Sequence, residues 1–354
     1  MTTTRRIVVG AVLLCSVFIV CSLALSKADE EYPNLKVQFV NSQVGWIVGP
    51  RLLQTTDGGR SWKQVRRDGY GTFAAETIGF GDRIIQFVSP EIGLQLDLTS
   101  IVKTTDGGKT WPDKLAIRAL GPTDSPSGSI FFLNRDVGWV VDQTVHHTTD
   151  GGRNWTILSA TPTGVEERQR NLRVAPALAN FLPALWFVDN QTGFMARLDG
   201  EVYRTADGGK TWIKVLSVDS QITGIYFVDN QNGWLCGGNG LVARTTDGGA
   251  TWSTFVKPTT THLTSIFFIN REKGWVVGAG STILYTSDGG TSWKKGTVSG
   301  VLGSPPLASV SFVDELHGWA VGGNGEGVPF SPLSPSNVIV ATDDGGHTWR
   351  RFAL

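Results

Sequence analysis

Short apolar segments, separated by turn residues, recur along the chain from Leu35 to its last residues. One stretch shows the arrangement clearly, with segments at residues 265–269, 274–277, 282–285 and 292–295. β-Branched and aromatic residues dominate these segments, and Asn, Asp and Gly lie between them, which is typical of β-strands joined by tight turns. Four such segments in succession predict a four-stranded antiparallel meander.

An eight-residue motif lies between the third and fourth segments and occurs seven times. It reads Thr-x-Asp-Gly-Gly-x-Ser/Thr-Trp, and only Asn154 departs from the Ser/Thr position. Paired glycines accommodate positive φ, and an aspartate carboxylate can accept hydrogen bonds from the N–H groups of its own turn. The seven carboxylates are equivalent, one in each repeat, and each has its own turn to stabilise. They do not converge on one substrate or metal, so we predict a structural role for them. These residues are Asp57, Asp106, Asp150, Asp207, Asp247, Asp288 and Asp344.

A second motif, Phe-x5-Gly-Trp, precedes each of these copies. Leu94 and Phe194 replace the tryptophan in the second and fourth repeats. Because the apolar size of the side chain survives these replacements, the position is predicted to serve packing.

The spacing of the motifs predicts the fold class. Seven repeats of about 46 residues, with four strands each, are typical of propeller blades. A linear stack would leave a sheet face exposed at each end, whereas a closed ring covers every face. We therefore expect an all-β, seven-bladed β-propeller with four antiparallel strands per blade, forming a single domain over residues 29–354.

Residues 1–28 have the form of an export leader. Arg5 and Arg6 precede an uncharged, mostly apolar run at residues 7–25, and Ser26 and Ala28 supply the small residues of a cleavage site. Two interpretations stay open, a cleaved signal peptide and an uncleaved membrane anchor, because the apolar run is just long enough to span a bilayer. Both predict an exported chain in a periplasmic, lumenal or extracellular location, and an anchor would attach it to the membrane.

Composition narrows the classes of partner. Lys and Arg together number 31, and so do Asp and Glu, so the balance gives no electrostatic support for a nucleic-acid partner. Cys15 and Cys21 lie in the leader, and Cys21 lacks the small preceding residue of a lipoprotein signal. Cys236 stands where sister repeats carry valine, so we interpret it as a small buried residue rather than a reactive thiol.

The sequence favours a binding protein over an enzyme. Asp-Gly-Gly motifs also occur in sialidases and other glycosidases, but the Phe/Tyr-Arg-Ile-Pro signature that usually opens the sialidase fold is absent, and only five tyrosines could supply a nucleophile. None of the five histidines has metal-ligand spacing. The glycine-rich segment 237–240 joins two predicted strands and opens no helix, so it is interpreted as a hairpin turn rather than a phosphate loop. We therefore expect no catalytic residue, no metal and no cofactor.

Taken together, these motifs resemble those of the Asp-box (bacterial neuraminidase repeat) proteins, and most closely the photosystem II assembly and stability factor family and its bacterial relatives. The likeness covers nearly all of the chain beyond the leader. It implies a non-enzymatic lumenal or periplasmic factor that binds a membrane-protein partner during assembly. The alternatives are an extracellular glycan-binding or sialidase/glycosidase-like propeller and a purely structural envelope protein.

Loop lengths indicate where a partner would bind. In an up-and-down blade the Asp-boxes share one face of the disc with the turns between strands one and two. The long segments at residues 63–86, 112–129 and 156–184, and a loop at 324–337, belong to the opposite face. Arginines with nearby apolar residues in these segments suit a polypeptide interface better than a sugar site, although the segments could also be solvated insertions. The candidate partner-binding residues of a predicted monomer are Arg66, Arg67, Arg168, Arg170, Arg173 and Phe181.

We predict that the native protein begins near Asp29, because Ser26 to Ala28 offers the best small-residue site after the apolar run. N-terminal sequencing of the protein from its own host decides this. A chain that still carries Met1 and is recovered in the membrane fraction would show an uncleaved anchor.

Overall fold

Strands follow one another along the chain and pair antiparallel with their sequence neighbours, which gives seven sheets. The computed structural model describes residues 35–49, 52–66, 85–97, 100–116, 129–141, 144–162, 184–254, 257–323 and 337–352. All of them belong to one unit, Tyr32–Leu354. The protein is thus an all-β, seven-bladed propeller, as the repeat predicts.

The motifs set the strand ends. First strands end at the motif phenylalanine; they are β1 Lys36–Phe39, β5 Ile85–Phe87, β9 Ser129–Phe132, β13 Ala184–Phe187, β17 Ile222–Phe227, β21 Leu263–Phe268 and β26 Leu307–Phe312. Second strands begin at the glycine of Gly-Trp or its equivalent; they are β2 Gly45–Val48, β6 Gly93–Asp97, β10 Gly138–Val141, β14 Gly193–Ala196, β18 Gly233–Gly237, β22 Gly274–Gly278 and β27 Gly318–Gly323.

Third strands end at the threonine that opens each Asp-box; they are β3 Leu52–Thr55, β7 Ser100–Thr104, β11 Thr144–Thr148, β15 Glu201–Thr205, β19 Val242–Thr245, β23 Thr282–Thr286 and β28 Asn337–Thr342. Fourth strands follow the box, except that β29 begins within its last two residues; they are β4 Lys63–Arg66, β8 Asp113–Ala116, β12 Thr156–Ala160, β16 Ile213–Ser217, β20 Ser253–Thr254, β24 Lys294–Lys295 and β29 Thr348–Arg351. We number the blades 1 to 7 in this order.

First strands of neighbouring blades contact each other, so they surround the axis and the fourth strands form the rim. Side chains bridge these contacts. Gln38 of blade 1 exchanges hydrogen bonds with the backbone of Phe87 of blade 2, at 2.6 and 3.2 Å. Thr264 of blade 6 donates from its Oγ1 to the carbonyl oxygen of Leu307 of blade 7, at 2.6 Å.

A phenylalanine sits between two rings at most blade junctions. Phe312 of blade 7 stacks on Trp275 of blade 6 with ring centroids 3.5 Å apart, and it meets the edge of its own box tryptophan, Trp349, at 5.7 Å. The indole Nε1 of Trp275 also donates to the carbonyl oxygen of Gly345, in the box of blade 7, at 2.9 Å. The Phe-x5-Gly-Trp motif of one blade is therefore tied to the Asp-box of the next.

The motif glycine is required by space. Phe268 pairs with Gly274 across the first two strands of blade 6, and the phenylalanine ring lies on the glycine. A Cβ at Gly274 would come within 2.4 Å of the Phe268 ring. Equivalent close approaches, of 2.4 to 2.6 Å, occur at the other six motif glycines.

One apolar cluster fills each of the seven blade junctions, including the junction that closes the ring. There, Val37 and Ile47 of blade 1 pack with Trp319, Val321 and Ile339 of blade 7. In the described residues each sheet is built from consecutive strands of one stretch of chain, so side-chain packing closes the ring rather than a sheet shared between the two chain ends.

Blade 7 departs from the predicted four strands. A short strand, β25 Thr297–Ser299, adds to β29 as a fifth strand and runs parallel to it. Ser299 Oγ donates to the carbonyl oxygen of Trp349 at 3.2 Å. The segment that links blade 6 to blade 7 thereby covers the rim edge of blade 7.

Cys236 is buried completely in the cluster between blades 5 and 6. Desolvation raises the pKa of its thiol to about 12. This confirms the interpretation of Cys236 as a small buried residue.

We predict that Gly274→Ala destabilises the protein by about 1–3 kcal/mol, because its Cβ overlaps the Phe268 ring. Chemical denaturation measures the loss. In a Phe268→Leu background the same alanine should cost less, since the overlapping ring atoms are gone. An equal cost in both backgrounds would show that the ring contact is not the cause.

Candidate functional site

Each Asp-box is closed by its own side chains. In blade 5, Thr245 Oγ1 donates to Asp247 Oδ1 at 2.8 Å and accepts the Gly249 N–H at 2.8 Å. Asp247 accepts the Thr251 N–H on Oδ1 at 2.9 Å and the Thr251 hydroxyl on Oδ2 at 2.6 Å. Both carboxylate oxygens are therefore occupied within the turn.

The other boxes repeat this geometry. Asn154, the one departure from the motif, replaces the hydroxyl with its amide and donates from Nδ2 to Asp150 Oδ2 at 2.7 Å. In blade 7, partial desolvation acts to raise the pKa of Asp344, but hydrogen bonds from the Thr348 side chain and backbone outweigh it and lower the pKa to about 2. The carboxylates remain ionised at neutral pH and act as turn acceptors.

The boxes share a face with the turns between strands one and two. The first box glycine of blade 5, Gly248, donates its N–H to the carbonyl oxygen of Gln231 at 3.0 Å, and the other six boxes make the same bond. Asp229 caps that turn by accepting the Gln231 and Asn232 N–H groups at 2.8 and 2.7 Å. We call this surface, made of the Asp-boxes and the one–two turns, the box face.

The two–three turns bond to the links between blades, which identifies the opposite surface. Gly200 accepts the Val218 N–H at 2.9 Å, and Gly238 donates to the carbonyl oxygen of Gln221 at 2.9 Å. We call this surface, made of the two–three turns and the links, the link face. The arrangement of the turns is the one that the repeat predicts.

Most of the predicted partner-binding residues lie outside the described part of the chain. Arg66 is the last residue of β4. The remaining ones, Arg67, Arg168, Arg170, Arg173 and Phe181, fall outside the described residues. Their role in binding stays a prediction.

The link face of blade 4 carries a buried ion pair that the sequence analysis missed. Arg197 NH2 lies 2.6 Å from Asp199 Oδ2, and the two side chains are 10% and 15% exposed. Arg197 NH1 also donates to the carbonyl oxygen of Pro162 at 3.1 Å, which fixes the start of the link between blades 3 and 4. The available signal was Arg197 itself, which stands where four sister repeats have glycine.

A second polar group lies beside this pair. Tyr203 donates its hydroxyl to Glu201 Oε2 at 2.6 Å, and Lys214 Nζ lies 3.1 Å from Glu201 Oε1. The guanidinium of Arg197 lies 5.8 Å from the centroid of the Tyr203 ring. We call Arg197, Asp199, Glu201, Tyr203 and Lys214 the blade 4 cluster.

A tyrosine paired with a glutamate is also the arrangement of a sialidase nucleophile, so this pair tests the enzyme alternative. Tyr203 is 9% exposed and Glu201 is 5% exposed. Desolvation and the hydrogen bond to Glu201 raise the pKa of Tyr203 to about 12. A neighbouring glutamate could act as the general base for a tyrosine nucleophile, but the nucleophile must also reach its substrate, and both of these side chains are buried. The pair therefore braces the blade instead of offering a reactive oxygen.

In the described ranges, no group of three or more His, Cys, Asp or Glu side chains is placed to hold a metal ion. Within the same ranges, no helix has the length and apolar character needed to cross a membrane.

Comparison with known families identifies the family of this chain. A family model described as photosynthesis system II assembly factor YCF48 matches residues 82–215, 213–308 and 252–354. The chain belongs to this family. The photosystem II assembly lipoprotein Ycf48 of Synechococcus sp. (strain CC9902) is 28% identical over 133 residues, which are 36% of this chain and 34% of that relative. The match thus spans about a third of the relative's length.

Solved structures of YCF48 proteins share the fold. The structure of YCF48 bound to D1 peptide is similar with a TM-score of 0.59 at 17% identity, over 88% of this chain and 94% of that chain. The structure of YCF48 from Cyanidioschyzon merolae has a TM-score of 0.56 at 20% identity, over 77% and 85% of the two chains.

We predict that Asp344→Ala lowers the free energy of unfolding by about 1–3 kcal/mol at pH 7, because the Thr348 N–H and hydroxyl lose their acceptor. Denaturation of the purified variant measures this. Asp343→Ala is the matched control, since Asp343 is the exposed neighbour in the same box. Equal losses in the two variants would contradict a specific role for the box aspartate.

Wild type and Asp344→Ala should also differ in how their stability depends on pH. The folded-state pKa of Asp344 is lowered to about 2 from 3.8, so its contribution is complete above the unfolded value and is lost as the pH falls through the folded value. The difference between wild type and Asp344→Ala should therefore shrink as the pH falls from 4 toward 2. A difference that does not change with pH would assign the loss to packing.

Proposed function

We propose that this protein is an exported, non-enzymatic scaffold that binds a segment of a partner polypeptide during the assembly of a membrane-protein complex. Membership of the YCF48 assembly factor family supports the assembly role. A structural neighbour with the same fold was solved with a bound D1 peptide, which supports a polypeptide as the partner. In this chain the proposal is supported mainly by the link face of blade 4, where Arg197 fixes the start of the link between blades 3 and 4.

The anchor matters because binding loops need a rigid base. Arg197 is held by Asp199 and in turn holds the backbone at Pro162. The chain continues from there into residues 163–183, which contain Arg168, Arg170 and Arg173. Arginine presents a planar fork of donors that matches carboxylates, so a segment with acidic residues is the partner that these side chains suit.

The glycan alternative has less support. A glycan-cleaving site needs accessible carboxylates or a tyrosine–carboxylate pair. The box carboxylates are occupied inside their own turns, and the Glu201–Tyr203 pair is buried within blade 4. These observations disfavour glycan cleavage by these residues, and we propose that the link face binds protein.

Export is part of the same proposal. The apolar run at residues 7–25 would carry the propeller across a membrane, and the Synechococcus relative is described as a lipoprotein. A cleaved leader would release the propeller, whereas a retained one would keep it beside a membrane-embedded partner.

We predict that reversing the charge of Arg168, Arg170 and Arg173 to glutamate weakens partner binding at least about tenfold, because each change replaces an attraction to a carboxylate with a repulsion. Binding is measured with a fluorescent D1 peptide and by capture from solubilised membranes. The melting temperature should stay within about 2 °C of wild type, so that a loss of binding is not a loss of folding.

Charge reversal of Lys109, Arg153 and Lys210 is the matched control. These three residues are exposed on the box face, so the net charge changes equally while the link face is unaltered. Loss of capture in this control with full capture by the first variant would place the binding surface on the box face. Full capture by both variants would show that the arginine segment does not bind the partner.

A further inference from the structure

The rim of the propeller is made of strand edges. Among the described strands, the fourth strand of each blade is the last of its sheet, except in blade 7, where β25 covers it. An edge strand presents backbone N–H and C=O groups that can pair with another extended chain. Proteins protect such edges with charged side chains, short strands or a covering segment.

Most of the rim edges carry one of these protections. β4 contains Lys63 and Arg66, and β8 contains Asp113 and Lys114. β24 consists of two exposed lysines, and β20 has two residues. β29 carries two arginines and is covered by β25.

In the part of the chain that the structure describes, β12 of blade 3 has none of these protections. Its sequence is Thr-Ile-Leu-Ser-Ala, which carries no charge over five residues. Ile157 at its second position is 55% exposed, and Thr156 and Ala160 are exposed as well. Ser159 Oγ donates to the carbonyl oxygen of Gly209 in blade 4 at 2.8 Å, which holds the strand against its neighbour.

β16 of blade 4 provides an internal comparison. It also has five residues and an exposed isoleucine, Ile213, at 60%. Its second residue is Lys214, which is half exposed and pairs with Glu201. β16 is therefore a guarded edge of equal length in the adjacent blade.

Blade 7 shows how an added strand is accommodated on this rim. β25 runs parallel to β29, with Thr297 opposite Thr348, Val298 opposite Trp349 and Ser299 opposite Arg350. Val298 packs against the cluster between blades 6 and 7. An uncharged extended segment with a β-branched residue between two small polar residues thus fits the edge of a blade.

We propose that β12 takes an extended, uncharged segment of a partner polypeptide as the fifth strand of blade 3, in the way that β29 takes β25. The proposal rests on the proposed function in one respect, that the partner is a polypeptide. Strand addition supplies backbone hydrogen bonds, and Ile157 supplies an apolar contact for alternate side chains of the incoming strand. In the sequence, Ala160 comes shortly before the segment that contains Arg168, Arg170 and Arg173.

A second copy of this chain is the competing occupant. Pairing of β12 with β12 would join five residues from each copy, whereas a stable interface takes roughly 20–30 residues on each side. The rim edge by itself is too small for a homodimer, but it suffices for a peptide strand whose remainder is held elsewhere.

The test uses a phage-displayed library of random dodecapeptides as the probe and the propeller without its leader as the target. We expect selection of peptides with alternating β-branched residues. Ile157→Lys should weaken their binding at least about tenfold, because lysine on the edge opposes strand addition. Ile213→Lys, the matched control on β16, should change binding less than about twofold. Both variants should keep the wild-type melting temperature.

Hydrogen–deuterium exchange then locates the selected peptides. Protection of the amides of residues 156–160 in the peptide complex is the expected result. Peptides that bind Ile157→Lys as well as wild type, peptides that protect other amides, or a selection that yields none would each overturn the proposal. A wild-type dimer that Ile157→Lys dissociates, seen by light scattering, would instead assign the edge to a second copy.

These outcomes are separable from a failure of the proposed function. The triple arginine reversal leaves β12 intact, so the selected peptides should still bind that variant. Loss of membrane capture with retained peptide binding would count against the arginine segment alone.

Discussion

The propeller depends on one contact that is repeated around the ring, the phenylalanine at the end of each first strand. Its ring lies on the glycine of the second strand in its own blade, meets the edge of its box tryptophan, and in five blades stacks closely on a ring of the preceding blade. The distance between blades and the closure of each Asp-box turn are therefore set by the same side chain. A larger residue than glycine, or a smaller one than phenylalanine, disturbs both at once.

The local features of the fold were predictable because the residues that form them are close together in the sequence. The Asp-box geometry, the strand order and the placement of turns on two faces follow from the motif and its spacing. The need for glycine at position 274 was not predictable, because it comes from the ring of Phe268 in the neighbouring strand. The fifth strand of blade 7 was also missed, because β25 pairs with residues about 50 positions later and has no counterpart in the repeat.

The candidate site was predictable only in part, for the same physical reason. Loop length identified the link face, and Arg197 departed visibly from its repeat position. The contact between Arg197 and Pro162, which braces the link, joins residues 35 positions apart and could not be read from either segment. The box face is uniform because each of its carboxylates is used inside its turn, so variation between the blades is left to the link face and the rim.

The way the ring closes has a consequence for how such a protein can change over evolutionary time. Leu35 and Phe352 lie at opposite ends of the described chain, yet they belong to the same closing cluster. Each four-stranded meander comes from one continuous stretch of chain. A circular permutant cut in any link from blade 1 through blade 6 would therefore keep every meander whole. Tandem duplication or deletion of a coding segment would likewise add or remove a whole blade. Each sheet is a module of contiguous chain, and the contacts between neighbouring modules record their order.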